Sequence, residues 1–406
     1  MIVSKSLRWT ERRLGLVLSG LLLHGLAAPA LADEGMLDTF QVHGFLSQAL
    51  VITDDNDFFG PSSDSDGSLK YTEIGANASI RPHENVLLAA QVLSRRAGGD
   101  GSDARPVLDH GVIDYQMIAN QHRTLGIQVG RFKNPFGFYN QTRDVAFTRP
   151  SILLPQSIYF DRTRSLGLAA DGLSLYHEQH LPDGNLNLQL GAGMIQAGDD
   201  LRRTMRLDNT PGSLEPRLSA IGQIRYEHDG GRVIAALSAA HARARFEPEA
   251  PGESDGNFSF QPWVLSLQYN EELWSLTAEY ALRTSTLDGF SNPFLNVDVT
   301  GESWYLQYTR RFHDDWQWLV RYDSLTSNRD DRSGRSFEAS GAGPAHSQYA
   351  DDITLGLQWN VNPRMMLAAE YHHVDGTGWL PIQDNPDPSE TERRWNMLLF
   401  QLSLRF

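Results

Sequence analysis

The C-terminal stretch WNMLLFQLSLRF (residues 395–406) alternates between two kinds of side chain. Apolar residues occupy every second position towards its end, and most of the positions between them are polar. A period of two is the signature of a β-strand whose two faces meet different surroundings. The apolar set is Leu398, Phe400, Leu402, Leu404 and Phe406, and the opposite set includes Gln401, Ser403 and Arg405.

The same alternation recurs in two earlier segments, DDWQWLVRYD (314–323) and ELWSLTAEYALR (272–283). In the first of them, Trp316 and Tyr322 lie on one face and Arg321 lies on the other. Each run is about ten residues long, which is the length of a tilted strand that crosses a bilayer. A strand with one apolar-aromatic face and one polar face fits lipid on one side and a water-filled lumen on the other.

Reading the whole chain in this way predicts sixteen strands, and the connections between them alternate in length. Short, turn-like connections follow the even-numbered strands, whereas long acidic or Gly/Pro-rich connections follow the odd-numbered strands. A soluble β-sandwich has no reason to segregate loop length so regularly. The sequence therefore predicts an all-β fold, a transmembrane antiparallel β-barrel of about 16 strands with short periplasmic turns and long extracellular loops. The predicted strands lie near residues 39–53, 70–82, 85–97, 110–119, 123–133, 165–177, 185–197, 218–228, 231–245, 259–270, 272–283, 300–312, 314–326, 351–361, 363–375 and 393–406.

Tryptophan and tyrosine residues are concentrated near the ends of these predicted strands. Such a bias is typical of the aromatic girdles at the two surfaces of a membrane. The alternative is that they are ordinary core aromatics of a sandwich, which would share the apolar face but not the bias towards strand ends. The residues concerned are Trp263, Trp274, Trp304, Trp316, Trp359, Tyr269, Tyr280 and Tyr371.

The N-terminus has the layout of an export signal. A basic segment precedes the apolar run LGLVLSGLLLHGLAA (14–28), and the small-x-small site Ala30-Leu31-Ala32 follows it. The alternative is an uncleaved membrane anchor, but the apolar run is short for a span. We therefore expect residues 1–32 to be a cleaved signal peptide and residues 33–406 to form a single barrel domain.

The charge balance is acidic and excludes one class of partner. The chain has a formal net charge of −15, and removing residues 1–32, whose net charge is +3, leaves −18. Binding to nucleic acid relies on dense cationic patches, so nucleic acid is not an expected partner. The chain has no cysteine, so an exported form uses no disulfide and depends on backbone pairing and packing.

One stretch departs from this acidic balance. GRFKNPFGFYNQTRDVAFTRP (130–150) contains four cations and only one acidic residue. It opens the third long connection, predicted at 134–164, which is rich in apolar side chains that an exposed loop would not keep in water. A loop of more than about 15 residues in a compact protein is usually functional or disordered, and this one is too apolar for disorder. We expect it to pack against the barrel wall, with Gly130, Pro135 and Gly137 ending the strand and turning the chain inward.

The chain resembles Gram-negative outer-membrane porins. The resemblance is carried by the export signal, the strand count and the terminal strand LSLRF (402–406), which ends in an aromatic residue. More narrowly, GRFKNPFG (130–137) followed by a long loop resembles the phosphate-selective porin group, although that group has lysine-rich sites and residues 33–406 contain only Lys70 and Lys133. The resemblance implies an outer-membrane location, contact with lipid and lipopolysaccharide, a homotrimer, and a third loop folded into the barrel.

Within such a loop, arginines would set a preference for anions. Arginine stays charged, and its planar fork suits carboxylate and phosphate. The alternative is that these cations pair with acidic residues of the loop and wall and only hold the loop in place. The predicted constriction and anion-binding residues are Arg131, Lys133, Arg143, Arg149, Arg162 and Arg164, with Arg225, Arg311 and Arg321 as weaker lumen-lining candidates.

The function predicted from the sequence is a water-filled channel for passive diffusion of small hydrophilic solutes, biased towards anions. The alternative is a plugged structural or adhesive barrel with acidic surface loops. No catalytic constellation is evident in the sequence, so an enzyme is not predicted, and neither is a cofactor or a metal site.

Overall fold

The computed structural model describes residues 38–98, 104–161, 163–205, 207, 210–249 and 254–406. Residues 1–32 lie outside this part of the chain, so the signal peptide stays a prediction. None of the helices in the described residues is long and apolar enough to cross a membrane.

Sixteen antiparallel strands form one closed barrel, in which each strand pairs with its neighbours along the chain and the last pairs with the first. The predicted fold class is confirmed. The strands are β1 (Gln41–Thr53), β2 (Ser68–His83), β3 (Val86–Ala97), β4 (Val107–Ala119), β5 (Arg123–Lys133), β6 (Ala169–Leu181), β7 (Gly184–Ile195), β8 (Gly212–His228), β9 (Val233–Pro248), β10 (Gly256–Asn270), β11 (Trp274–Asp288), β12 (Val297–His313), β13 (Trp316–Thr326), β14 (Tyr349–Asn362), β15 (Met365–Gly376) and β16 (Arg394–Arg405). Short α-helices lie in the long connections: α1 (Arg164–Leu168), α2 (Asp199–Thr204) and α3 (Arg335–Ala339).

The two faces of the sheet differ as the alternation predicts. On β13, Val320 and Tyr322 point outward and are exposed, whereas Arg321 and Asp323 point into the barrel and are buried. Exposed Leu, Val, Ile and aromatic side chains surround the barrel in this way. In a soluble protein such an apolar surface would be covered by other parts of the fold. In a membrane it is in contact with lipid hydrocarbon, so the barrel is of the membrane-spanning kind.

The C-terminal stretch closes the barrel against β1. Their register runs from Phe45 opposite Arg405 to Thr53 opposite Met397. Beyond the ladder, Phe406 N donates to the carbonyl of Gly44 at 3.0 Å. This closure leaves no free sheet edge, as a barrel in lipid requires.

The strand boundaries depart from the predicted ones mainly at the long-loop end. The sixth strand, predicted at 165–177, begins at Ala169 because α1 occupies the five residues before it. β8 begins at Gly212 rather than at 218, since its backbone keeps pairing with β9 beyond the apolar belt, as in Leu214 opposite Phe246. Backbone pairing continues where the side-chain alternation no longer signals it.

The outward-facing aromatic residues form two rows across β10–β15. One row contains Trp263, Tyr280 and Trp304, all of them exposed. The other lies nearer the short turns and includes Trp316, which stacks on Trp359 with ring centroids 5.1 Å apart. The two rows match the pair of girdles that membrane barrels place at the lipid surfaces.

Two apolar clusters lie at the long-loop end of the barrel. The first joins side chains of the first, third and eighth long connections, and the second joins the fourth connection to β9, β10 and the sixth connection. The first contains Phe58, Phe59, Ile152, Leu153, Trp379, Leu380 and Trp395; the second contains Leu201, Met205, Leu207, Phe246, Phe258 and Phe290.

Candidate functional site

The third long connection, residues 134–168, lies inside the barrel, and we refer to it as L3. Gly137 N donates to Ser238 Oγ on the inward face of β9 at 3.1 Å. Farther along, the carbonyl of Arg149 accepts a hydrogen bond from Gln358 of β14 at 3.3 Å. Because β9 and β14 lie five strands apart in the sheet, L3 crosses the lumen rather than following one wall.

Local backbone geometry turns L3 inward at its first residues. Gly137 has a φ of 58°, in the left-handed region that favours glycine, and a Cβ there would lie 2.2 Å from the Tyr159 hydroxyl. The two roots of the loop are tied together, since Asn134 N donates to the carbonyl of Leu168 at 3.1 Å. The expectation that Gly130 helps to end the strand is wrong, because β5 continues beyond it as a regular ladder with β6.

Two carboxylates of the wall hold L3 by its backbone. Glu279 of β11 accepts a hydrogen bond from Phe138 N at 3.0 Å. Glu370 of β15 accepts one from Leu153 N at 3.1 Å and another from Ile152 N. Backbone N–H groups of a buried loop have no ladder partner, so these charge-assisted bonds satisfy donors that would otherwise be costly to bury.

Glu279 is also the centre of a buried hydroxyl cluster. It accepts hydrogen bonds from Tyr159 Oη at 2.6 Å and from Ser266 Oγ at 2.5 Å. Tyr305 Oη donates to it at 2.8 Å. Together with the Phe138 amide, four donors surround one carboxylate, which compensates its loss of water and fixes this part of L3 to β10–β12.

On the opposite side of the lumen, Glu73 of β2 lies between two guanidinium groups. Arg149 of L3 reaches it with Nη2 at 3.1 Å, and its Nη1 donates to Tyr71 Oη at 3.2 Å. Arg95 of β3 reaches the other oxygen of Glu73 with Nε at 3.1 Å. All four side chains are buried or nearly so, so Glu73 serves as an anchor for L3 and not as an exposed lumen charge.

Asp161 joins a second L3 arginine to the same group. Arg95 Nη2 lies 2.7 Å from Asp161, and Arg143 Nη2 lies 3.6 Å from it. Arg143 also donates to the carbonyl of Tyr159 at 3.0 Å. Burial, together with the charge of the neighbouring Arg164, lowers the pKa of Arg143 to about 10, and this guanidinium stays charged at neutral pH.

Asp144 links the two roots of L3. It pairs with Arg164 and with Lys133, and Lys133 lies 2.5 Å from Asp109 of β4. Burial by itself would raise the pKa of Asp144, but the charges of Arg164 and Lys133 hold it well below its ordinary value. The carboxylate is therefore ionised throughout the neutral range and neutralises the cations around it.

These contacts form one continuous ion-paired cluster with nearly balanced charge. Four of the six residues predicted as anion-binding belong to it, and all four are paired; three are buried and Lys133 is nearly so. The cations are Arg95, Lys133, Arg143, Arg149 and Arg164, and the acidic residues are Glu73, Asp109, Asp144 and Asp161. The arrangement is the one that loop anchoring requires.

One predicted constriction residue lies elsewhere in the barrel, on its outer surface. Arg131 is on the outward face of β5, two residues from Val129, which is 45% exposed. It forms a two-pronged ion pair with Asp171 at 2.7 and 2.8 Å, also on the outward face. Arg162 lies outside the described residues.

The three weaker candidates all face the lumen but at different depths. Arg321 is buried under L3, where it donates to Ser151 Oγ at 3.1 Å. Arg311 lies at the short-turn rim and donates to the carbonyl of Glu272 at 2.7 Å. Arg225 lies beside L3, 5.8 Å from the centre of the Phe138 ring, and its side chain is 33% exposed.

Several residues that hold L3 were not singled out from the sequence. Glu73, Arg95, Glu279 and Glu370 are isolated charges on the inward faces of their strands. Alternation assigns each of them to the lumen side, so the face could have been predicted. Their partners in L3 could not, because those contacts join residues 66 to 218 positions apart along the chain.

A closed sixteen-strand barrel with an outward apolar surface and a loop folded across its lumen is the architecture of an outer-membrane porin. No protein-family model matches the sequence, and no curated protein matches it either. The description of this chain as porin-like therefore rests on its fold and on its likeness to solved structures.

Three solved structures illustrate this likeness. The anion-selective porin from Comamonas acidovorans is 13% identical, with a TM-score of 0.58 over 90% of this chain and 99% of that one. The outer membrane channel DcaP of Acinetobacter baumannii is 11% identical, with a TM-score of 0.55 over 90% and 97%. The trimer form of OmpT, an outer membrane protein of Vibrio cholerae, is 10% identical, with a TM-score of 0.53 over 91% and 99%. At these identities the likeness shows that the chain has the porin fold.

Proposed function

We propose that the chain is an outer-membrane channel through which small hydrophilic solutes diffuse passively. The proposal rests on the position of L3 in the lumen: L3 covers the inward face of one wall and leaves part of the other wall accessible. Inward-facing residues of β11–β15 are buried beneath it, including Thr277, Gln307, Arg321 and Thr354. On the opposite wall, Gln189 and Arg225 keep part of their surface accessible beside L3.

We place the solute path along the side of L3 next to β7 and β8, at the accessible parts of Gln189 and Arg225. Gln141 at the edge of L3 is exposed and donates to Gln189 of β7 at 3.0 Å. Gln223 of β8 donates to the carbonyl of Gly137 at 2.9 Å. Amide groups at this position offer both donors and acceptors, which suits polar solutes that exchange water for protein contacts.

A preference for anions is the second part of the proposal, and Arg225 is the residue that we assign to it. The L3 cations are buried in ion pairs, so they contribute little net field to a passing solute. Arg225 is accessible beside L3, although Glu227 lies 2.8 Å from it and reduces its effect. The Comamonas porin is named as anion-selective, which supports the same direction.

Purified protein in planar bilayers tests both parts. We expect discrete conductance steps in KCl and, under a salt gradient, a reversal potential of the sign for chloride preference. Absence of any conductance rejects the channel, and a cation-selective reversal potential rejects the anion preference alone.

A plugged structural barrel is a second candidate, and one observation favours it. The first apolar cluster packs L3 residues Ile152 and Leu153 against Phe58, Trp379 and Trp395 of the first loop, the eighth loop and β16. Apolar packing of this kind blocks water on that side of the lumen. The same bilayer measurement separates the two functions, because a plugged barrel inserts without conducting.

We also propose that the chain forms a homotrimer through the wall that lacks aromatic rows. Every tryptophan of residues 33–406 lies at or after Trp263. On the opposite wall the outward face carries small residues such as Ala76 and Ala90, together with Thr72, whose hydroxyl donates to Gln48 at 2.7 Å. A polar pair is costly against lipid but not in a subunit contact, and the Vibrio cholerae OmpT structure supports such an assembly by its trimer form. The aromatic wall and the acidic outer loops would then face lipid and lipopolysaccharide.

A further inference from the structure

A hydrogen bond between two amide side chains joins L3 to the wall where the solute path is proposed. Gln141, at the exposed edge of L3, donates from Nε2 to Gln189 Oε1 of β7 at 3.0 Å. Gln189 in turn donates from its own Nε2 to Ser174 Oγ of β6 at 2.9 Å. A hydrogen bond of this length leaves no room for a solute between its two ends. A molecule that follows L3 on this side therefore meets the bond between Gln141 and Gln189 as a closed contact.

The two ends of this contact differ in their freedom to move. Gln189 is half-buried, and its amide is held on the wall by Ser174, which is fully buried. Gln223 of β8 lies directly opposite Gln189 in the register and is fixed to the carbonyl of Gly137 at 2.9 Å. Gln141 is exposed, and exposed side chains change rotamer within nanoseconds. Gln141 is therefore the part of the contact that can swing aside while the wall keeps its shape.

L3 itself stays in place when Gln141 moves. The buried carboxylates of Glu279 and Glu370 hold its backbone, and that of Glu73 holds Arg149. Charge-assisted bonds of this kind are stronger than a neutral bond between two amides that water can reach. The contact between Gln141 and the wall can therefore open without the release of L3.

Opening leaves Gln189 Oε1 without its donor, and a cation lies close to it. Arg225 is two residues from Gln223 on the same inward face, and so lies diagonal to Gln189 across the β7–β8 pair. Diagonal neighbours in a sheet are about 7–8 Å apart, within reach of long side chains. Glu227 lies 2.8 Å from Nη2 of Arg225, and the guanidinium has further N–H donors. A molecule with a carboxylate for Arg225 and an N–H or O–H donor for Gln189 fits both groups.

We propose that Gln141 is a gate on the solute path, and that solutes carrying a carboxylate together with an N–H or O–H donor pass it by replacing its hydrogen bond to Gln189. The α-amino acids are the simplest solutes of this class. Their carboxylate accepts from Arg225 and their ammonium donates to Gln189 Oε1, so the bond that opens is exchanged rather than lost. A solute without a donor breaks the same bond uncompensated and passes more slowly. This gate presupposes the proposed channel, to which it adds a class of solute.

Swelling of proteoliposomes in isosmotic valine and in isosmotic glycine betaine tests the gate. The two solutes have the same elemental composition and are both zwitterions, but the ammonium group of valine carries N–H donors and that of glycine betaine carries none. We expect valine to enter wild-type liposomes at least about threefold faster, because one uncompensated hydrogen bond is worth a ratio of that order.

Two substitutions remove the contact from its opposite ends. Gln141→Ala and Gln189→Ala should each raise the entry of glycine betaine at least about threefold and bring the ratio of the two solutes towards one. The double variant should gain little more than either single variant, because both act on one bond.

The matched control is Gln317→Ala. Gln317 Nε2 donates to Gln358 Oε1 at 3.2 Å, which is an equivalent amide pair, but these two residues are cross-strand neighbours within the wall of β13 and β14. Both entry rates should stay unchanged in this variant. Heat-modifiable migration on gels verifies that each variant is a folded barrel, and wild-type resistance to trypsin verifies that L3 stays in place.

Unchanged entry of glycine betaine in Gln141→Ala overturns the gate, as does a gain of the same size in Gln317→Ala. Equal entry of the two solutes into wild-type liposomes overturns the exchange with Gln189 and the class of solute. Each of these results is obtained with a permeable wild type and leaves the channel standing. Liposomes that admit neither solute with any of the proteins reject the channel and the gate together.

Discussion

Arg149 of L3 and Glu73 of β2 form an ion pair of 3.1 Å inside the barrel, with both side chains buried. The two residues are 76 positions apart in the chain. Their pairing fixes the middle of L3 to β2, across the lumen from β9 and β11, which bind its first residues. L3 is therefore held from both sides of the lumen.

Replacing Arg149 with Ala should destabilise the folded barrel strongly. Breaking a buried ion pair costs about 3–5 kcal/mol, because the remaining carboxylate stays buried with less compensation. Urea unfolding followed by tryptophan fluorescence measures the loss. The matched control is Arg131→Ala, since its pair with Asp171 is partly exposed and should contribute only about 0–1 kcal/mol. Equal losses for the two variants would contradict the anchoring role.

Replacing Glu279 with Ala should release the first part of L3 while the barrel remains closed. Four donors lose their acceptor, among them the Phe138 amide and the Tyr159 hydroxyl. Trypsin reports the release, because cleavage after Arg143 requires L3 to leave the wall. We expect rapid cleavage in this variant and resistance in Glu302→Ala, whose carboxylate pairs at the long-loop end with Arg332. Resistance in both variants would show that Glu279 does not hold the loop.

Acid should loosen L3 only well below neutral pH. The pKa of Asp144 is lowered because the attraction of Arg164 and Lys133 exceeds the effect of burial, and the pKa of Asp161 is lowered in the same way by Arg95 and Arg143. A carboxylate with a lowered folded pKa stabilises the fold above its unfolded pKa, about 3.9, and this contribution is lost as the pH falls towards the folded pKa.

The acid dependence can be measured by unfolding at a series of pH values. Stability should be insensitive to these groups between pH 5 and 8 and should fall below about pH 4. Asp144→Asn should lower stability at neutral pH and flatten part of the decline in acid. A decline that begins near pH 6 and is unchanged in Asp144→Asn would assign the acid sensitivity to other groups.

Replacing Arg225 with Glu should shift ion selectivity towards cations. Arg225 is the accessible guanidinium beside L3, and reversing its charge places two carboxylates, its own and that of Glu227, on the proposed path. The reversal potential under a KCl gradient is the readout, and Arg225→Ala should give an intermediate value. Arg311→Glu, at the short-turn rim, is the control and should have a smaller effect because its side chain is exposed and better screened by salt. An unchanged reversal potential in Arg225→Glu would place the solute path elsewhere.

Introducing a tryptophan at Ala76 should disrupt the proposed trimer. Ala76 lies on the outward face of β2, where a large ring would separate packed subunits. The control is Ala278→Trp, at an equivalent outward position on β11 within the aromatic wall. Light scattering in detergent gives the mass of each complex. A trimer that persists in Ala76→Trp, or that is lost in Ala278→Trp, would locate the interface on a different wall.

Much of the barrel follows from local sequence because the period of a strand is a local property. Successive side chains of a strand point to opposite faces, so Leu398 and Phe400 report the outward face and Gln401 the inward face without knowledge of any partner. All sixteen predicted strands are present for this reason, and the largest errors lie at strand ends, where backbone pairing outlasts the pattern of side chains.

The candidate site could be predicted only in part. The composition of L3 indicated a loop with an apolar surface to bury, and it lies buried in the lumen as that surface requires. The surroundings of an arginine near the root of L3 could not be predicted in the same way. A shift of one residue along the strand moves a side chain from the lumen to the lipid surface. Arg131 and Phe132 are adjacent, yet the first lies on the outer surface and the second in the lumen.

The sequence by itself determined the strands, their two faces and the alternation of short turns with long loops, since each of these follows from the pleat of the backbone and from local chain composition. Only the tertiary structure decided that Arg149 meets Glu73 and that the Phe138 amide meets Glu279. Those contacts join segments that are distant in sequence, and they exist only after the sheet has closed and L3 has crossed its interior. Local periodicity carries no information about which charges then meet across the lumen.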